Sequence, residues 1–152
     1  MTNLRIGQPA PDFTLPDQNN EETSLSDYRN KNNVVLFFYP KDFSPGCTTQ
    51  ACHFRDSYED FTDLGAVVIG ISSDSVESHK KFLDEYLLPF TLLSDGDGEV
   101  RKLYGATKIL GLLPGRYTFI TDKDGIIRYI FTSETDMKKH IDEALRVLRT
   151  LQ

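Results

Sequence analysis

Val34-Val35-Leu36-Phe37-Phe38-Tyr39 runs directly into Pro40-Lys41-Asp42-Phe43-Ser44-Pro45-Gly46-Cys47, and the junction of these two stretches decides the fold. The first is a short, continuous apolar run of β-branched and aromatic residues, the pattern of a buried strand. It is far shorter than the roughly 20 residues needed to cross a bilayer. In the second stretch, Ser44 and Pro45 read as the N-cap and first residue of a helix. Cys47 then falls in the first turn of a helix expected over about Cys47 to Leu64. Unpaired backbone N–H groups and the helix dipole favour an anion there, which makes the sulfur a candidate nucleophile. The alternative reading of Cys47 is a packed helical residue, since free cysteine is among the most buried residue types.

Downstream, a strand over Ala66 to Ser72 and a helix over Val76 to Leu87, with Ser75 near its N-cap, complete a βαβα unit whose strands should be parallel. Thr91 to Leu93 and a short helix near Glu99 to Tyr104 follow. Tyr117 to Thr121 and Ile126 to Thr132 flank Asp122-Lys123-Asp124-Gly125, whose Asp-Gly pair favours a tight hairpin between antiparallel neighbours. Ile141, Leu145 and Leu148 recur at helical spacing within Asp136 to Leu151, so a final helix should lie on the sheet. Upstream, Asp12 to Leu15 and Glu22 to Leu25 flank a polar stretch and read as a short hairpin capping the sheet's edge or end. The whole order predicts an α/β, thioredoxin-like fold: a central mixed β-sheet flanked by helices, with an N-terminal β-hairpin, in a single domain spanning 1–152.

Composition sets the outer limits. The 17 basic and 23 acidic residues give a formal charge of -6, a field that repels phosphate-rich partners and argues against nucleic acid. Met1 to Pro11 lacks the apolar stretch of a secretory signal, so a cytoplasmic location is the default expectation and no membrane association is foreseen. The 2 cysteines are too few for a disulfide framework and suit a reducing compartment where thiols serve chemistry or packing.

The segment Tyr39 to Cys47, continued by Thr48-Thr49-Gln50-Ala51-Cys52-His53-Phe54-Arg55-Asp56, closely resembles the active-site segment of the peroxiredoxins, nearest to their bacterioferritin comigratory protein or peroxiredoxin Q subgroup. Similarity extends from Gly7-Gln8-Pro9-Ala10-Pro11-Asp12-Phe13 through Leu92-Leu93-Ser94-Asp95 to Arg116-Tyr117-Thr118-Phe119-Ile120. The resemblance implies that Cys47 reduces a hydroperoxide and becomes a sulfenic acid, with no metal, haem or flavin as cofactor. It further implies that Pro40 shields the site, that Ser44 hydrogen-bonds the peroxide or thiolate, and that Arg116 stabilises the thiolate and the developing charge. Many relatives carry threonine at the place of Ser44, so the hydroxyl is kept and the rotamer-restricting methyl is lost. On its own, Ser44 is equally well explained as an ordinary N-cap, and Arg116 as a solvated residue at a strand edge.

Cys52 follows Cys47 by five positions, which on an ideal helix is a rotation of about 500° and a rise of about 7.5 Å. The Cα atoms would lie roughly 8.7 Å apart, beyond the roughly 7 Å that a disulfide allows without backbone movement. A pairing of the two therefore requires local unwinding. The resemblance implies that pairing: Cys52 resolves the sulfenic acid as an intramolecular disulfide, and thioredoxin or a similar dithiol protein reduces it, on a chain expected to be a monomer. The alternative reading of Cys52 is a buried helical cysteine facing the core.

Other signals carry less. Cys47, Cys52 and His53 lack the second Cys/His pair of a closed zinc site, and His79 and His140 read as surface or helix-face residues. Asp95-Gly96-Asp97-Gly98-Glu99 lacks the spacing of an EF-hand and reads as a turn that starts a helix. Phe43, Phe90, Leu110 and Leu112 are candidates for the site entrance or for packing. The competing enzyme class, a thioredoxin-type disulfide oxidoreductase, normally carries Cys-x-x-Cys, whereas four residues separate the cysteines here. A non-enzymatic holdase or binding module on the same fold ranks third.

Overall fold

Val35 and Phe37 point to one face of the sheet and Val34, Leu36 and Phe38 to the other, and all are buried. A strand apolar on both sides has to be covered on both sides. The computed structural model describes residues 2–152 and satisfies this with two hydrophobic cores, one on each face.

The elements are β1 (Thr14–Pro16), β2 (Glu22–Ser24), a 3-10 turn (Leu25–Tyr28), β3 (Asn33–Phe38), α1 (Pro45–Asp56), α2 (Tyr58–Asp63), β4 (Ala66–Ser72), α3 (Val76–Tyr86), β5 (Thr91–Ser94), α4 (Glu99–Tyr104), β6 (Thr107–Lys108), β7 (Leu113–Pro114), β8 (Tyr117–Thr121), β9 (Ile127–Thr132) and α5 (Met137–Thr150). The central sheet has the order β5-β4-β3-β8-β9. The pair β3/β4 is parallel and β8/β9 antiparallel, as expected from the sequence; β4/β5 is also parallel and β3/β8 antiparallel. Phe54 of α1, Phe61 of α2, Phe82 of α3 and Leu148 of α5 pack with Phe37 on one face. Val100 and Tyr104 of α4 join Ala10, Phe13 and Leu25 on the other.

The N-terminal hairpin forms its own two-stranded sheet and guards the open edge at β5: Asp17 bridges Leu93, and Leu92 N donates to Gln18 Oε1 at 3.3 Å. The helix expected from Cys47 to Leu64 is instead two, bent at Ser57 (φ -103°, ψ 9°). Ser57 N still donates to His53 O and Phe61 N to Ser57 O, so two helical bonds carry across the turn. The bend lets Phe54 stack on Phe37 (4.5 Å between ring centroids) while Phe61 follows the sheet to β4. The two-residue strands β6 and β7 were not foreseen, being too short for a periodic signal. In the β8–β9 turn, Gly125 takes φ +77° and Asp122 Oδ1 accepts from Asp124 N and Ile126 N. The turn at Asp95 does start a helix: its buried carboxylate accepts from Val100 N and Arg101 N at the head of α4.

His79 and His140 do lie on helix faces, but on the faces turned inward, and both are fully buried. His140 Nε2 donates to Ser133 O at 2.8 Å, and Thr118 Oγ1 meets Nδ1 at 2.8 Å, which ties α5 to β8 through a neutral ring. Burial is the main cause that lowers the His140 pKa below its ordinary value. The unfolded chain therefore binds more protons than the folded one just below about pH 6.5, and stability should fall as pH drops from there through the lower folded value. Thermal melts across this range should show a shallower acid slope for His140→Gln than for the wild type. Equal slopes would remove His140 from the account.

Candidate active site

Tyr39 N donates to Ile71 O beyond the last ladder residue of β3, and Pro40, half-buried, then opens the loop to α1. Ser44 is extended (φ -66°, ψ 148°), Pro45 occupies the first helical position, and Thr48 N donates to Ser44 O at 2.9 Å. Ser44 is thus the N-cap by position, although its hydroxyl does not cap. It donates to Lys41 O at 2.9 Å, which closes the loop on itself.

Cys47 follows in the first turn, 1% exposed and outside any disulfide. Arg116 Nη1 donates to Cys47 Sγ at 3.1 Å and to Gln50 Oε1 at 3.0 Å. Arg116 is itself buried, not a solvated strand-edge residue. Its backbone is held independently of the side chain: Arg116 N donates to Glu134 Oε2 at 2.9 Å, and Thr132 Oγ1 donates to Arg116 O at 2.7 Å. Gly46 makes the approach possible, because a Cβ there would come within 2.8 Å of Arg116 Nη2. A desolvated guanidinium and a helix N-terminus converge on one sulfur, an arrangement that stabilises a thiolate and any negative charge developing next to it.

Gln50 was not singled out from the sequence, although its place one turn after Cys47 was a usable signal. It is fully buried, and its Oε1 orients the guanidinium. Gln50 Nε2 and Thr48 Oγ1 are buried without a hydrogen-bond partner, so unused polar capacity sits within one turn of Cys47. Cys52 lies half-buried on the same intact helix, also as a free thiol. Of the residues considered for the entrance, Phe90 is a core residue packed edge-on against Phe37 at 5.7 Å. Phe43 is partly exposed and leans on Phe82 at 5.1 Å, while Leu110 and Leu112 stand out to solvent at the tip between β6 and β7.

The AhpC/TSA family profile matches residues 6–130. The chain belongs to that family. It is 50% identical over 147 residues to the chloroplastic peroxiredoxin Q of Sedum lineare, an alignment covering 96% of this chain and 78% of the plant protein. The crystal structure of the peroxidoxin BcpB from Mycobacterium tuberculosis is similar at a TM-score of 0.92 and 39% identity, with 99% of both chains covered. The Xanthomonas campestris bacterioferritin comigratory protein is similar at a TM-score of 0.86 and 28% identity, again over 99% of each chain. The fold is accordingly the thioredoxin-like fold of peroxiredoxins, and this peroxiredoxin is a thiol-dependent peroxidase, an oxidoreductase acting on hydroperoxide. The cytoplasmic location expected from Met1 to Pro11 is overturned, because the plant relatives at about this identity are chloroplastic. Lack of an apolar run near the N-terminus does not decide the compartment.

Proposed function

We propose that Cys47 is the sulfur that reduces the hydroperoxide, in one catalytic domain, with Arg116, Ser44 and Pro40 as its supports and Cys52 as its resolving partner. The observation that carries this is the 3.1 Å hydrogen bond from buried Arg116 to Cys47 Sγ at the start of α1. The Cys47 thiolate attacks the terminal peroxide oxygen, the O–O bond breaks, and the departing alkoxide takes a proton to become an alcohol or water. Arg116 stabilises the charge as it moves from sulfur to the leaving oxygen. Pro40 and the Lys41–Ser44 loop exclude water, and the Ser44 hydroxyl is close to the helix start for a second hydrogen bond once it leaves Lys41 O.

The sulfenic acid then condenses with the Cys52 thiol, releasing water and forming a disulfide, and a thioredoxin-like dithiol reduces it at the expense of its own two thiols. Support for a local rearrangement comes from α1 itself. Cys47 and Cys52 share one unbroken helix, and Phe54 anchors its second half between Phe37 and Phe61. Burying that ring contributes roughly 1.5–3 kcal/mol, so unwinding is confined to the turns before it. Cys47, Gln50 and Arg116 meet within one chain, so this hydrogen-bonded triad needs no residue from a second copy, and a monomer is the proposed working unit. The solved Xanthomonas campestris relative is described for alkyl peroxide reduction, which supports organic hydroperoxides alongside hydrogen peroxide as substrates.

Far-ultraviolet circular dichroism tests the resolution step. One equivalent of peroxide added to reduced wild type should form the disulfide and lower the helix signal, whereas Cys52→Ser should keep its helix. Disulfide formation with an unchanged signal would sink the unwinding step.

A further inference from the structure

The geometry points to a positioning role for the Asp42–His79 pair, which together with Tyr39 and Ser78 pins the loop Pro40–Ser44 in the form that holds Cys47 against Arg116. This rests on the reading of Cys47 as the reacting sulfur.

Asp42 is buried in the middle of the loop and is fastened from three sides. Its Oδ1 accepts from Tyr39 Oη at 2.6 Å, and its Oδ2 accepts from Ser78 Oγ at 2.9 Å and lies 2.7 Å from His79 Nδ1. His79 Nε2 in turn donates to Leu93 O at 3.0 Å, which fixes the ring from the β5 side. The Asp42 backbone N–H donates to Asp74 Oδ2 at 2.8 Å, and Ser72 Oγ donates to the same oxygen at 2.6 Å. Burial, and after it the Asp42 carboxylate, push the Tyr39 phenol well above its ordinary range and keep its hydroxyl a donor.

The residue after Asp42 shows what this clamp restrains. Phe43 has φ +65°, in the left-handed region that a bulky residue avoids. Such a conformation persists only where its surroundings over-determine it. Here they do so on both sides: the clamp fixes Asp42, and the Phe43 ring is packed on Phe82 and Tyr86 of α3 at 5.1 and 6.4 Å. Ser44 and Pro45 follow at once and start α1, so a loop set free at Asp42 would move the N-terminus of α1 relative to Arg116, which is held separately just ahead of β8. Asp42, Asp74 and His79 also bring three metal-capable side chains within 4.8 Å of one another. Their facing atoms are already engaged by Tyr39, Ser78, Ser72 and the Asp42 N–H, which favours a clamp over a cation site.

Two rates measured on reduced protein in a Cys52→Ser background separate positioning from simple stability: reduction of hydrogen peroxide and alkylation of Cys47 by iodoacetamide. Alkylation, run at a pH high enough to ionise Cys47 in every variant, needs only a reachable sulfur, whereas peroxide reduction needs Cys47 seated against Arg116. Asp42→Asn and His79→Gln should lower the peroxide rate about tenfold or more while leaving alkylation equal or faster. A purely structural role would lower both rates together with the folded fraction read by circular dichroism, and that result, or an unchanged peroxide rate in folded variants, overturns the proposal. Should either variant fail to fold, Ser78→Ala removes a single hydroxyl from Asp42 and decides: the same divergence of rates, at least about threefold, supports the clamp, and unchanged rates overturn it. Peroxide reduction surviving in Cys47→Ser would overturn the underlying reading of the site instead.

Discussion

Cys47→Ser is expected to remove peroxide turnover, by about three orders of magnitude or more, while leaving the fold intact. The hydroxyl replacing the thiol is a far weaker nucleophile, and nothing else within reach of Arg116 can take its place: Gln50 is an amide, and Cys52 lies on the intact helix five positions away. The fold should tolerate the change because a serine hydroxyl fits the space of the buried thiol and can still accept from Arg116 Nη1. The expected loss of stability is below about 1.5 kcal/mol, checked by thermal melting. Cys52→Ser should differ in kind. It should consume one equivalent of peroxide and stall as a sulfenic acid or a mixed disulfide, failing to turn over with thioredoxin. A thioredoxin-coupled assay on the two variants reads both results, and sustained turnover by Cys47→Ser would reject Cys47 as the reacting sulfur. Insulin reduction by the wild type at a thioredoxin-like rate would revive the oxidoreductase alternative.

Arg116→Met should lower the second-order rate with hydrogen peroxide by about 10²–10³, the usual scale for losing one preorganised donor to a developing anion. Arg116 donates at once to Cys47 Sγ and Gln50 Oε1, so the change removes the stabiliser of the thiolate and leaves the buried Gln50 carbonyl without its partner. That orphaned acceptor costs about 1–3 kcal/mol, partly offset by no longer burying a guanidinium. The strand position should survive, because the bonds from Thr132 Oγ1 and to Glu134 Oε2 are made by the Arg116 backbone. Arg116→Lys keeps a charge but lacks the planar fork that spans both acceptors, and should fall between wild type and Arg116→Met. A folded Arg116→Met with the wild-type rate would take Arg116 out of the chemistry.

Much of the site was legible because it is local. Strand, Ser44-Pro45 helix start and Cys47 lie within one short stretch, and the rules that read them, apolar run, N-cap and first-turn electrostatics, act over a few residues. Gln50 was equally local and could have been found from its helical spacing to Cys47. The Asp42–His79 pair could not. It joins residues 37 positions apart through a loop with no periodic signal, and histidine on a helix reads as easily outward as inward. The bend at Ser57 was also hidden, since both helical halves keep their hydrogen bonds and only the demand that Phe54 and Phe61 enter one core separates them.

From the sequence alone came the α/β order, the parallel and antiparallel halves of the sheet, the placement of Cys47 at a helix start and the need for movement before Cys52 can reach it. These follow from pattern, chain direction and helix geometry, which are properties of short segments. Arg116 was named only through the family resemblance; tertiary structure decided that its Nη1 reaches Cys47 Sγ across 69 residues, that Gly46 leaves room beside its guanidinium and that Ser44 turns its hydroxyl to Lys41 O. It also decided that the helix faces carrying His79 and His140 turn inward and bury both rings. Each of these depends on which side chains the packed sheet and helices bring within about 3 Å of one another, and hydrogen bonds are made at that range whatever the separation along the chain.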